Sequence, residues 1–402
     1  MNTTRFNDIL AAFSIALDQV EHEMLGVSDH HAKRVAYITA KMCQTAHLSQ
    51  DLQIDAAACA LLHDNALTES QSTLRGDKDW QSKWPGIPET GLHCAMGARN
   101  MANLPTTSDI RGFIRFHHEN ADGSGPFGLT TDATPLPARM IHLADQLDRT
   151  LNLGMWTPDK PAVITAYLDQ NRGNVFDAAT LELFQDALSV NDLAALSSPT
   201  MDAMVAGLIP TRDIAYSGSE LAHIATLFAR ITDYKSSFTC SHSMGIANKA
   251  RRMAAFYHYD PEVVERYYVA GALHDVGKLM IPNRILEKPG PLTKDEYTIM
   301  KKHASYSFKV LNPIKGFEDI TVWACRHHEK LDGSGYPFGL TAKDLTQPER
   351  LMACIDIYQA LVEDRPYKKG MTHQTTMKIL NNMVKDGQID GGITADIDTV
   401  FG

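Results

Sequence analysis

Apolar residues recur along most of this chain at intervals of three and four, the spacing that gathers them on one face of a helix. Ile246, Ala250, Met253, Ala254 and Tyr257 are one such set. Alternating apolar and polar runs of the kind a half-buried strand needs are sparse, so the pattern predicts an all-α chain. A helix start is written at Thr293-Lys294-Asp295-Glu296, where a capping box follows the Pro289-Gly290-Pro291 break, and it puts His303 on a helix. No apolar run is long enough to span a bilayer, and Met1 to Phe13 lacks the continuous apolar core of a signal peptide. A cytoplasmic location is the expectation, with no membrane partner.

At 402 residues the chain exceeds what one hydrophobic core usually supports, so two domains of about 200 residues each are expected. Hydrophobic residues at 44% and charged residues at 21% argue for a folded chain rather than a disordered one. A net charge of -10 argues against binding a nucleic-acid polymer through many phosphates. A small anionic ligand is compatible with that charge if metal ions or a few Lys and Arg supply local positive potential. The six cysteines (Cys43, Cys59, Cys94, Cys240, Cys325, Cys354) are scattered, form no C-x-x-C pair, and read as buried reduced thiols.

The two halves repeat one another. His31 matches His242 and His63-Asp64 matches His274-Asp275, each at an offset of 211. His93 matches His303 and His117-His118 matches His327-His328 at 210, and Asp145 matches Asp356 at 211 again. A one-residue insertion before His93 and a one-residue deletion after His118 explain the drift, and the deletion is visible: Gly123-Ser124-Gly125-Pro126-Phe127-Gly128-Leu129 is one residue shorter than Gly333-Ser334-Gly335-Tyr336-Pro337-Phe338-Gly339-Leu340. So many histidines and aspartates in register imply two copies of one fold. The breaker-rich segments Ser197-Ser198-Pro199 and Pro210 to Ser219 place the boundary near residue 210, giving domains 1–210 and 211–402.

In the second copy His242, His274, Asp275, His303, His327, His328 and Asp356 supply five imidazoles and two carboxylates, a mixture suited to Fe, Mn, Ni or Zn. Seven ligands are too many for one tetrahedral ion and fit two ions that share a bridge. Neighbours on a helix point about 100° apart, so His274 and Asp275 are poorly placed to grip one ion in parallel. Asp275 is the expected bridge. Two ions roughly 3.5 to 4 Å apart lower the pKa of a bridging water and clamp the attacking and leaving oxygens of a phosphate ester, which is a phosphodiester hydrolysis site.

His274-Asp275-Val276-Gly277-Lys278 with Ile281-Pro282, and His327-His328-Glu329-Lys330-Leu331-Asp332-Gly333-Ser334-Gly335-Tyr336-Pro337, resemble the two signatures of the HD-GYP phosphodiesterases. The resemblance runs on through Asp356 and Asp364-Arg365-Pro366-Tyr367 and covers about residues 235 to 370. It implies a helical bundle whose metal centre opens cyclic di-GMP or 3',3'-cyclic GMP-AMP to the linear dinucleotide. It also implies that His242, His274 and Asp356 hold one ion, that His303, His327 and His328 hold the other, and that Asp275 joins them. Lys278 would lie at the reacting phosphate as a catalytic group, Arg365 and Lys368 would hold substrate phosphates, and Tyr336 would shape the pocket. Some family members carry a third ion on a Glu four residues before the first His; Phe238 stands there, so a two-metal site is expected.

The first copy keeps His31, His63, Asp64, His93, His117, His118 and Asp145 as a second candidate ligand set, but its surroundings are eroded. Leu67 replaces the motif lysine, Ala66 its glycine, the GYP tyrosine is missing, no Arg-Pro-Tyr follows Asp145, and Val27 stands where Phe238 does. A regulatory half that holds ions but turns over poorly is the expectation. His30 and His142 have no counterparts and read as surface or core residues. One decayed and one intact copy in tandem are similar to the Vibrio HD-GYP enzymes that degrade 3',3'-cyclic GMP-AMP, which favours that substrate over cyclic di-GMP. Two alternatives stay open: an HD-type phosphohydrolase of linear nucleotides, which leaves Gly335-Tyr336-Pro337 unexplained, and a non-catalytic nucleotide-binding interaction module. A diguanylate or dinucleotide cyclase partner and a homodimer are compatible with the sequence.

Overall fold

A computed structural model of the chain describes residues 4–102, 104–235, 242–364 and 369–402. The all-α expectation holds: among the described residues helices make up the fold, apart from one ladder of two-residue strands, Thr4–Arg5 and Asp213–Ile214. The chain divides into two units, a first of Arg5–Asp213 and a second of Ile214–Gly402 to which Thr4 also belongs.

In the first unit the helix His31–Thr45 packs on Gln50–Leu61 and on Leu136–Leu151, while Leu92–Met101 packs on Arg111–Arg115. The second unit uses the same plan. His242–Phe256 packs on Pro261–Leu273 and on Gln347–Val362, and Lys294–Leu311 packs on Glu318–Cys325 and on the 3-10 turn Val276–Met280. The apolar stripe read from the sequence is the reason: Ile246, Ala250, Met253 and Ala254 are buried together with Leu351, Ile355 and Leu380. Each such aliphatic side chain taken out of water stabilises the fold by about 1.5–3 kcal/mol when fully buried. Tyr257, at the end of that stripe, is only partly buried and donates its hydroxyl to Asp396 Oδ2 at 2.8 Å.

The capping box at Thr293 forms, with the Thr293 side chain accepting from Glu296 N and the Glu296 carboxylate accepting from Thr293 N at 2.7 Å. It starts the 18-residue helix that carries His303. One detail differs from the sequence reading. His274 and Asp275 sit at the end of a helix, not within one: Pro261–Leu273 stops, and the chain tightens into the 3-10 turn Val276–Met280. That turn passes so close to Lys294–Leu311 that a Cβ on Gly277 would meet His303 O at 2.1 Å. No helix among the described residues is long and apolar enough to cross a membrane.

Candidate metal centre

Each candidate ligand in the second unit occupies a special place on its element. His242 is the first residue of its helix, His274-Asp275 follow directly on the end of Pro261–Leu273, His327-His328 come one residue after the end of Glu318–Cys325, and His303 and Asp356 lie within helices. The structure brings all seven together. Asp275 Oδ1 faces His303 Nε2 at 3.4 Å and His327 Nε2 at 4.0 Å, while Oδ2 faces His274 Nε2 at 3.0 Å and His242 Nε2 at 4.0 Å. Asp356 lies 3.4 Å from His242 Nε2 through Oδ1 and 3.5 Å from His328 Nδ1 through Oδ2. The ligand atoms of His242, His274 and Asp356 form one group with mutual separations within 4.8 Å, and those of His303, His327 and His328 form another. One carboxylate oxygen of Asp275 is turned toward each group.

The donor set suits divalent ions. His274 Nε2 and Asp275 Oδ1 are buried and make no hydrogen bond, although buried polar atoms normally find partners. The opposite ring nitrogens are committed: Nδ1 of His274, His303 and His327 donates to the carbonyls of Gly271, Met300 and Ala324 at 2.8, 2.8 and 2.6 Å. That fixes the tautomer and leaves the Nε2 lone pairs for metal. Burial, with the His328 and Lys278 charges adding to it, holds His303 neutral with a pKa of about 3, and burial pushes His327 well below the usual histidine range. Burial alone would raise Asp275, but the facing His274 and Lys278 charges hold its carboxyl well below the ordinary value. Burial also opposes charge on His242, yet Asp356 and Glu363 outweigh it and hold that imidazole at about 9.

Lys278 Nζ lies 2.5 Å from Asp275 Oδ2, one turn along from it, and is partly exposed. The Tyr336 ring packs 4.7 Å from the His328 ring. Its loop is held by Glu329, a buried residue whose carboxylate accepts from Phe338 N at 2.7 Å and Leu340 N at 2.9 Å. Arg365, Lys368 and Phe238 lie outside the described residues.

The first unit repeats the arrangement. Asp64 Oδ1 faces His93 Nε2 at 3.5 Å and His117 Nε2 at 3.8 Å, and Asp64 Oδ2 faces His63 Nε2 at 3.6 Å. Asp145 approaches His31 Nε2 at 3.2 Å and His118 Nδ1 at 3.9 Å. The Nε2 atoms of His31, His63 and His117 and both oxygens of Asp64 and Asp145 are buried without a hydrogen bond. Above them lies a cleft of about 720 Å³ whose walls include Leu67, His93, His118 and Arg149. His142 is a buried neighbour of the set that bonds His117 O and Asn120 Oδ1, and His30 caps a helix in the left-handed region at φ 66°.

Several groups around the ligands were not singled out in the sequence. Glu363 Oε2 holds His242 Nδ1 at 2.8 Å, and Ser307 Oγ links Gly277 N to His274 O, each at 2.9 Å. Asp233 accepts from Ser243 Oγ at 2.6 Å and is pushed up to about 7 by burial. Glu329 and its counterpart Glu119, which accepts from Phe127 N and Leu129 N, were legible, since the two glutamates stand at the same 210 offset as the histidines before them.

Two helical units, each built round a His-Asp ligand cluster, define an HD domain protein. The HD domain family model matches residues 20–180 and again 222–393, and the chain belongs to that family. Among curated proteins it is 29% identical over 388 residues to the 3'3'-cGAMP-specific phosphodiesterase 1 of Vibrio cholerae, covering 94% of this chain and 88% of that one. It is 31% identical to the 3'3'-cGAMP-specific phosphodiesterase 3 of the same organism over 71% of this chain and 62% of that protein. It is 33% identical to the cyclic di-GMP phosphodiesterase PA4108 of Pseudomonas aeruginosa over 60% of this chain and 51% of that protein. The crystal structure of a Vibrio cholerae cyclic GMP-AMP-specific phosphodiesterase superposes with a TM-score of 0.68 at 20% identity, covering 100% of this chain and 98% of that one, and shares the fold.

Proposed function

We propose that the chain is a metal-dependent phosphodiesterase that opens a cyclic dinucleotide to its linear form, with 3',3'-cyclic GMP-AMP preferred over cyclic di-GMP. The observation that carries this reading is Asp275, buried with one oxygen toward His303 and His327 and the other toward His274 and His242. Its ligand set lies in a chain similar over 94% of its length to a 3'3'-cGAMP-specific enzyme.

His242, His274 and Asp356 would hold one ion, His303, His327 and His328 the other, and Asp275 both; Fe, Mn or Ni suits such donors. Bound ions supply Lewis acidity and lower the pKa of a water at the site. The remaining work falls to the chain. One phosphorus–oxygen ester bond breaks, the oxygen of water takes its place, and the departing ribose oxygen must gain a proton. Lys278, whose ammonium already reaches Asp275 Oδ2, is the group to donate that proton or to neutralise the phosphate. Tyr336 borders the ligand cluster beside His328, and Arg365 and Lys368 would hold the far phosphate. In the domain at residues 1–210, Leu67 leaves no ammonium at the matching point, which supports a regulatory rather than hydrolytic role for it beside the catalytic domain at 211–402. A cytoplasmic location, where such messengers act, fits this reading.

The test is turnover of 3',3'-cyclic GMP-AMP, cyclic di-GMP and cyclic di-AMP by the full chain loaded with Mn or Fe, beside the Asp275→Ala variant. Cleavage that drops by about 10³-fold or more in the variant is expected. No cleavage of any of the three by the loaded wild type would overturn the proposal and leave a nucleotide-binding module as the better reading.

A further inference from the structure

The first unit carries one donor that the second lacks. Cys94 follows His93 on the helix Leu92–Met101, and the matching residue 210 positions on is Ala304. Cys94 is fully buried, its Sγ lies 3.4 Å from His93 Nε2, and the ligand atoms of His93, Cys94, His117 and His118 all lie within 4.8 Å of one another. A nitrogen at about 2.0 Å and a sulfur at about 2.3 Å from one tetrahedral ion are about 3.5 Å apart, so the observed spacing is that of two ligands of one ion.

A second observation points the same way. His117 Nδ1 donates to Ile114 O at 2.6 Å, while its Nε2 is buried, makes no hydrogen bond and is turned toward this group. The lone pair is therefore fixed in place and unused.

We propose that the first unit holds a zinc ion in a closed site formed by His93, Cys94, His117 and His118. Three imidazoles and a thiolate complete a tetrahedral shell, and a thiolate favours zinc over the harder Mn and Mg. The thiol gives up its proton to solvent as the metal–sulfur bond forms. Structural zinc sites are closed and catalytic ones keep an open position. Cys94 thus fills the place that Ala304 leaves free in the second unit. Asp64 lies between the two groups: its Oδ1 borders this site, 3.5 Å from His93 Nε2 and 3.8 Å from His117 Nε2, and its Oδ2 faces His63 in the neighbouring group of His31, His63 and Asp145. None of this depends on the second unit being a hydrolase, since the readouts follow metal and sulfur rather than turnover.

The experiment uses the full chain. Zinc-edge X-ray absorption of the zinc-loaded wild type should show a sulfur neighbour at about 2.3 Å. Cobalt-substituted wild type should show a thiolate-to-cobalt charge-transfer band, absent in Cys94→Ala and retained in Cys240→Ala. Alanine already stands at the matching place in the second unit, so Cys94→Ala asks nothing new of the fold. Zinc retained after dialysis against a weak chelator should fall by about one ion per chain in Cys94→Ala and stay unchanged in Cys240→Ala. Only nitrogen and oxygen neighbours at the zinc edge, or a charge-transfer band that survives Cys94→Ala or vanishes in Cys240→Ala, would overturn the proposal.

Discussion

Gly277→Ala is the smallest change that tests how the second unit holds its metal ligands. The added methyl would meet His303 O at 2.1 Å and Ser307 N at 2.4 Å, both backbone atoms that cannot swing aside. Carbon–carbonyl contacts settle near 3.3 Å, so the turn and the helix Lys294–Leu311 must part by about 1 Å. Metal sites hold ligand positions to about 0.2 Å, and His303 rides on that helix with its Nε2 3.4 Å from both Asp275 Oδ1 and His327 Nε2. The same parting stretches the bonds through Ser307 Oγ to Gly277 N and His274 O. Overpacking costs about 1–3 kcal/mol and each weakened hydrogen bond about 1 kcal/mol, so a destabilisation of about 3 kcal/mol is expected. The assay is urea unfolding of the full chain together with metal content by mass spectrometry. Loss of the ion proposed at His303, His327 and His328 should accompany the fall in stability. A variant that unfolds within about 1 kcal/mol of wild type and keeps its full metal complement would refute the reasoning.

Two further outcomes follow from single contacts. Glu363→Gln removes the carboxylate that orients His242 through Nδ1 at 2.8 Å, and metal affinity measured by chelator competition should fall about 10–100-fold; an unchanged affinity would mean that Glu363 does not orient the ligand. Burial would raise the Asp192 carboxyl, but bonds from Ser189, Lys41 and Tyr37 hold it well below the usual carboxylate range. A depressed folded pKa means that its contribution is fully present above the unfolded value of about 3.9 and is lost as pH falls through the folded one. Asp192→Asn should therefore cost about 1 kcal/mol at pH 7, and its stability should fall less steeply than that of wild type below about pH 4; parallel acid limbs in a pH series of urea midpoints would contradict this.

The histidines and aspartates of the two candidate clusters were legible as a set because metal chemistry restricts residue type, and they stand in register across both halves. Tyr336 and Lys278 were legible through their motifs. The residues that orient ligands were harder to see, because a hydrogen bond can come from any element that passes nearby. His31 Nδ1 is held by Asp148 Oδ2 at 2.6 Å, and the residue in register with Asp148 is Gln359. In the second unit the task passes to Glu363, one turn further along, at the end of the helix Gln347–Val362. Cys94 was hidden for another reason: it reads as one scattered thiol until the fold sets it beside three imidazoles.

That displacement explains a second exchange and bears on what each unit is built to do. Asp148 also binds the buried Arg34, with Nε to Oδ1 at 2.7 Å and a further bond at 2.8 Å to Oδ2. A carboxylate shared between His31 and a fixed guanidinium is locked from both sides, and Arg34 donates further to Asp29 O and to Ser28. In the second unit Gly245 stands at the register of Arg34, and a Cβ there would meet Gln359 Nε2 at 2.3 Å, so the space has closed around a neutral amide. His242 then takes its carboxylate from Glu363, the residue that ends its helix and precedes Asp364 and Arg365, the stretch that would hold substrate phosphate. In the first unit, by contrast, the orienting carboxylate is anchored inside the bundle. The same first ligand is thus tied to the core in the unit that has lost its lysine, and to the edge of the proposed substrate segment in the unit that has kept it.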